Sequence, residues 1–167
     1  GSVPGGNGCT LNSYHVRPRS RGSVTLKSAD LRDAPVIDPN PFAERYDLER
    51  AIDGVEISRE ILSQPAFSKY ISREHLPGAA MEGRAALEAF AREHGRSAYH
   101  PVGSCRMGGD AGSVVDPELR LRGLQGLRVC DSSVMPSIVS SNTNAAVIMI
   151  AEKAADLIVG RKLPAAA

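Results

Sequence analysis

The strongest constraint in this sequence is its last long apolar stretch. From Ala145 to Val159 the chain is apolar on almost every face, and only Glu152, Lys153 and Asp156 interrupt it. That pattern predicts a helix, and a helix apolar all round is a buried one. Upstream the chain offers only three modest helical patterns to bury it, so this helix is expected to need a partner sheet from elsewhere. The entry to it, Ser140-Ser141-Asn142-Thr143-Asn144, is also distinctive. Asn144 or Thr143 makes a good N-cap. Two asparagines around a threonine, however, exceed what capping requires. A helix start also presents unpaired N–H groups and the positive end of its dipole.

A second feature lies upstream, in Tyr99-His100-Pro101-Val102-Gly103-Ser104-Cys105-Arg106-Met107-Gly108. Pro101 pushes His100 out of the helical region into an extended conformation, and the glycines at 103 and 108 allow close backbone approach. Histidine is the usual general base for a hydroxyl proton; a lone histidine also serves structural ends. A carboxamide such as Asn142 beside an imidazole can donate a hydrogen bond to a substrate oxygen while the ring takes its proton. An electron-rich ring oxygen or an anionic cofactor would be stabilised at the helix start. Asp131 closes the compact buried-strand pattern Gly126-Leu127-Arg128-Val129-Cys130-Asp131. It reads equally as a ligand contact at the carboxyl end of a strand and as a cap for the turn at Ser132-Ser133. Cys105 and Cys130 lack an adjacent base and read as buried packing residues.

The remaining segments suggest an antiparallel sheet with helices. Period-2 stretches over 10–16 and 22–26 read as two strands joined by a turn at Arg17-Pro18-Arg19-Ser20-Arg21-Gly22. The three arginines of that turn read as a solvated or ion-paired loop, with an anion site as the alternative. Residues 30–43, rich in proline and turn formers, read as an extended crossing. Asp47 can cap a helix running to about Ser63, with Leu48, Ile52, Val55, Ile57, Ile61 and Leu62 as its apolar stripe, ended by Gln64-Pro65. Phe67 to Ile71 reads as a short helical turn. Glu82 to His94 reads as a helix with Ala85, Leu87, Phe90 and Ala91 inward, stopped by Gly95. Tyr99–Met107 and Val114–Leu121 look strand-like. Residues 1–9 are glycine-rich and are not expected to be ordered on their own.

Charge and cysteine usage exclude several classes. Twenty Lys plus Arg against nineteen Asp plus Glu leave a net charge of +1, no electrostatic basis for nucleic-acid or acidic-membrane binding. Cys9, Cys105 and Cys130 contain no CxxC pair, which argues against zinc and against a disulfide-stapled secreted fold. The expectation is reduced thiols in the cytoplasm and no metal. No apolar run reaches the roughly 18 residues of a membrane span, and the N-terminus lacks a signal-peptide pattern. Gly1-Ser2 could be a cleavage scar, so the chain reads as an engineered piece or as one chain of a cleaved enzyme. An aromatic content of 4% argues weakly against an aromatic cage for a quaternary ammonium.

Taken together, these segments resemble the C-terminal part of the glucose–methanol–choline (GMC) family of FAD-dependent oxidoreductases. The His100 segment is similar to that family's catalytic-histidine strand. Val115-Asp116-Pro117, Gly126 to Pro136, Ser140 to Ala145 and Ile148 to Ile158 follow in the family's order, and Arg17 to Val24 and Ile37-Asp38-Pro39-Asn40 fit upstream. The likeness spans about residues 10–160. It implies an α+β piece of a larger α/β enzyme. Residues 10–125 would belong to the substrate-binding domain, and 126–160 would supply the last strand and helix of a Rossmann-type FAD domain. Residues 161–167 would be a tail. It implies His100 as proton acceptor from an alcohol, Asn142 as second active-site residue, Thr143 and Asn144 against the flavin's pyrimidine edge, and Asp131 and Ser132 near its ribityl–phosphate region, with Tyr99 also on the cofactor side. The reaction implied is hydride transfer from an alcohol carbon to FAD. The glycine-rich nucleotide loop of the family's first half is absent, so an N-terminal FAD-binding half is the expected partner. The alternatives are a non-catalytic fragment or binding subunit, or a hydroxynitrile lyase of the same family.

Overall fold

The structure is a computed structural model that describes residues 7–161. Most of the glycine-rich start expected over 1–9, and all of the tail but Arg161, lie outside the described residues. Among the described residues the fold is α+β, with four α-helices and one two-stranded antiparallel sheet. The chain divides into two compact units: residues 7–22 with 39–98, and residues 23–38 with 99–161.

In the first unit, α1 (Arg45–Ser63) and α3 (Gly83–His94) bury the i, i+4 pairs Leu48/Ile52 and Leu87/Ala91 against one another, with Phe42, Ala51, Val55 and Met81 around them. This spacing places two side chains on one helix face, so each helix contributes a narrow apolar stripe. A short helix α2 (Pro65–Ser68) follows α1 after Gln64, whose extended backbone ends α1 where Pro65 could not continue it. Charges flank the apolar seam. Arg84 of α3 pairs with Glu49, Asp53 and Glu56 of α1, and Arg45 joins Glu49 to Glu88. Arg59 reaches Glu74 as well as the Gly78 and Met81 carbonyls, tying the segment after α2 back onto α1.

Residues 10–16 form no strand. They belong to an extended strap held on α1 by side chains. The expected cap Asp47 sits inside the first turn, not at the N-cap, which is Glu44. The Asp47 carboxylate accepts from the Arg19 amide at 2.9 and 3.1 Å and from the Ser20 amide at 2.6 Å. Ser20 Oγ accepts from the Glu44 amide, His15 Nε2 lies 3.5 Å from Asp47, and Arg19 stacks over Tyr46. The strap comes so close to α1 that a Cβ on Gly54 would meet Ser13 Oγ at 2.2 Å, which explains a glycine in a helix interior. The Arg17–Gly22 turn therefore serves α1 rather than a hairpin.

The hairpin lies in the second unit instead. β1 (Ser23–Thr25) pairs with β2 (Val36–Asp38) in the register Ser23↔Asp38, Val24↔Ile37 and Thr25↔Val36. The segment expected as a loop thus supplies the second strand. Lys27 and Ser28 both bond Asp33 within the connection. The core of the unit is Val115, Leu119, Val134, Met135, Ile150 and Ala154. Around it the chain runs as an irregular braid. The amides of Cys105 and Met107 donate to the Ser133 and Val134 carbonyls, the Leu121 amide to the Leu127 carbonyl and the Val129 amide to the Leu119 carbonyl. Only isolated bridges form, so 99–107, 114–121 and 126–131 are not regular strands.

Helix α4 (Asn144–Val159) ends at Gly160 in the left-handed conformation. It buries Ile150 and Ala154, whereas Ile148, Met149, Ile158 and Val159 are each more than half exposed. The expectation of a helix buried all round is therefore corrected within this chain, since one face is covered and another apolar face is open. Cys130 is also exposed, not a packing residue, while Cys105 is half-buried. Among the described residues no helix is long and apolar enough to cross a membrane.

Asp47 is the clearest stability determinant of the first unit. Burial alone would raise its pKa, but the hydrogen bonds from Ser20 and Arg19 and the charge of His15 outweigh that and hold it below the ordinary carboxylate range. A carboxyl depressed in the folded state contributes fully above its unfolded value of about 4 and loses that contribution as pH falls through the folded value. Asp47→Asn should cost about 2 kcal/mol at neutral pH and flatten the fall in the urea midpoint below about pH 4.

Candidate active site

His100 and the start of α4 meet in the second unit because the same core holds both. Downstream of His100, Val102 packs on the core, Gly103 turns at φ 91°, and the Cys105 and Met107 amides dock on Ser133 and Val134. Val134 and Met135 in turn pack with Ile150 and Ala154 of α4, with Val139, Ala146 and Val147 beside them. Tyr99, immediately before His100, takes φ 62°, a left-handed conformation uncommon for a bulky residue. Pro101 on the other side limits the histidine backbone to extended values. The imidazole is thus delivered by a backbone constrained on both sides.

The decisive contact is His100 Nδ1 to Thr143 Oγ1, at 2.8 Å. Thr143 is 6% exposed. It is the N-cap of α4, yet its side chain makes no capping bond. Its carbonyl accepts the first helical bond, from the Val147 amide. Asn142, one residue before the N-cap, accepts from the Asn144 amide through Oδ1 at 3.1 Å. The amides of Ala145 and Ala146 precede the first helical bond and have no intrahelical acceptor. No acidic residue occupies the first turn of α4. Donors and the positive helix end are therefore left for an electron-rich group.

The predicted site residues separate into two groups. His100 and Thr143 are brought into contact, and Asn142 and Asn144 flank Thr143 with exposed side chains. Asp131 and Ser132 form a local structure of their own, in which Asp131 Oδ1 accepts from the Ser133 amide at 2.7 Å and caps the 3₁₀ turn Ser132–Val134. Of the two readings open for Asp131, the geometry shows the cap. Tyr99 is exposed. Sequence reasoning missed Thr143 as the partner of His100. The signal available for it was a β-branched hydroxyl at the helix start, between two asparagines.

The C-terminal GMC oxidoreductase family model matches residues 18–151. The chain belongs to the GMC oxidoreductase family. An alcohol dehydrogenase [acceptor] from Pseudomonas putida is 47% identical over 154 residues, 92% of this chain and 28% of the relative. An oxygen-dependent choline dehydrogenase from Klebsiella pneumoniae is 47% identical over 147 residues, 88% of this chain and 26% of the relative. Among solved structures, an FAD-dependent oxidoreductase from Chaetomium thermophilum is similar with a TM-score of 0.81 and 33% identity, covering 88% of this chain and 26% of that one. This GMC chain thus spans about a quarter of the length of the relatives it matches.

Asn142 has a structural task that can be separated from any chemical one. Asn142→Ala should cost about 1 kcal/mol by removing the acceptor for the Asn144 amide, while Asn142→Asp keeps it and should stay within about 0.5 kcal/mol. Chemical denaturation of the three proteins checks this.

Proposed function

We propose that this GMC chain is the part of an FAD-dependent alcohol oxidoreductase that carries the catalytic histidine, and that His100 Nε2 takes the proton of a CH–OH substrate. The observation that supports this best is the Nδ1 contact with Thr143, because it occupies one ring nitrogen and leaves the other for substrate. When bound, FAD supplies the two-electron acceptor for the hydride leaving the alcohol carbon. Loss of one proton to His100 and one hydride from carbon converts the alcohol to an aldehyde or ketone. Asn142, adjacent to the partner of His100, donates its Nδ2–H to the substrate oxygen and holds the C–H bond in line.

The chain's own residues fit a flavin. Asn144 and the free first-turn amides of α4 are donors with no competing carboxylate in that turn, as the electron-rich pyrimidine edge requires. Asp131, Ser132 and Tyr99 complete the proposed cofactor wall. In this reading residues 10–125 are the C-terminal portion of the substrate-binding domain, and 126–160, with α4, complete a Rossmann-type FAD domain. Most of that domain would come from an N-terminal half, which would also cover the open face of Ile148, Met149, Ile158 and Val159. Removing such apolar surface from water stabilises the union by roughly 25 cal/mol per Å².

The test uses the whole flavoprotein under anaerobic conditions. Primary alcohols should bleach the flavin absorbance, and His100→Gln should slow that bleaching by about 100-fold or more while FAD stays bound. Failure of every alcohol class to bleach the wild-type flavin would refute the reading.

A further inference from the structure

We infer that Thr143 is a positioning residue that sets the tautomer of His100, an assignment that rests on the proton-acceptor role proposed above. Three features of the structure lead there. The Thr143 hydroxyl sits at a helix N-cap but performs no capping, although the Ala145 and Ala146 amides that it could serve have no intrahelical acceptor. The side chain is buried, and its hydroxyl bonds His100 Nδ1 at 2.8 Å. Its backbone is locked by the Val147 bond and by the core contacts of Ala146 and Val147. A β-branched side chain on a locked backbone has little rotamer freedom, so Oγ1 is a fixed point.

The consequence is chemical. A neutral imidazole carries its proton on one nitrogen and accepts at the other. For Nε2 to receive a substrate proton, the ring must hold its own proton on Nδ1. A threonine hydroxyl can give or take a hydrogen bond at Nδ1; in the inferred arrangement Thr143 Oγ1 accepts the Nδ1–H, which leaves the ring's lone pair at Nε2. When Nε2 gains the substrate proton the ring becomes cationic, and the Nδ1–H···Oγ1 bond strengthens as a charge-assisted one. The same bond fixes the ring plane and hence the direction of the Nε2 lone pair. The left-handed Tyr99 and Pro101 constrain the backbone of His100, and Thr143 constrains its ring.

The experiment compares wild type, Thr143→Val, Thr143→Ala and Thr143→Ser in the whole FAD-loaded protein. The first readout is independent of turnover: long-range ¹H–¹⁵N correlation of ¹⁵N-histidine-labelled protein, with His100→Gln to assign the signal. Wild type and Thr143→Ser should show the Nδ1–H tautomer. Thr143→Val and Thr143→Ala should shift His100 toward Nε2–H. The second readout is kinetic: kcat should fall about 10- to 100-fold in Thr143→Val with KM changed less than about threefold, and Thr143→Ser should restore most of it. An unchanged His100 tautomer in both Thr143→Val and Thr143→Ala would overturn the assignment. So would a Thr143→Ser variant that loses as much activity as Thr143→Val. Should no alcohol reduce the wild-type flavin, the alcohol-oxidation reading falls, and the tautomer spectra still decide the role of Thr143.

Discussion

Everything near His100 depends on the packing of α4 onto the 115–135 braid. Ile150 and Ala154 lie one turn apart on the helix and enter a core made by Val115, Leu119, Val134 and Met135. That core fixes the azimuth and depth of the helix. The helix start then places Thr143 at a definite height, and the docking of Cys105 and Met107 on Ser133 and Val134 places the histidine segment at the same level. The 2.8 Å contact between residues 43 positions apart is a product of that shared anchor. Cores are packed as densely as crystals, so an anchor of this kind transmits position with little play.

The division of labour at the helix start is the second theme. Four N–H groups at any helix start lack intrahelical partners. Here Asn142 takes the first, the Asn144 amide, and the N-cap hydroxyl bonds the imidazole rather than the second or third. Capping residues are usually read as stability devices alone. In this chain the Asn142–Asn144 bond and the Thr143 hydroxyl that meets His100 occupy three consecutive residues, so stability and chemistry are coupled and can be separated only by substitutions that keep one acceptor and remove the other.

The first unit obeys a different logic. Its two helices offer a narrow apolar seam, and a buried carboxylate on α1 gathers the strap by accepting two successive backbone amides. Charge-assisted bonds of this kind exceed neutral ones in strength. The flanking arginine pairs are exposed and individually weak. The strap's attachment therefore depends far more on Asp47 than on the count of ion pairs around α1 and α3.

The helices were legible in the sequence because apolar periodicity and punctuation by proline and glycine are local properties; the bounds of α1, α3 and α4 lie close to those read from Asp47–Ser63, Glu82–His94 and Ala145–Val159. The family was legible for a similar reason, in contiguous segments such as Tyr99–Gly108 and Ser140–Ala145. Strand pairing was not. Thr10–Val16 alternates as a strand should, yet Asp47 captures its continuation, and Val24 pairs instead with Ile37 across a segment dominated by turn formers. Pairing is decided by which backbone partners are available in three dimensions, a non-local matter. The same holds at the site. The sequence by itself determined that a histidine, two asparagines and the start of an apolar helix exist in this order. Only the tertiary structure decided that Thr143, and not an asparagine side chain, bonds the His100 ring, because that choice is made by the packing of Ile150 and Ala154 on a braid that brings the two segments together.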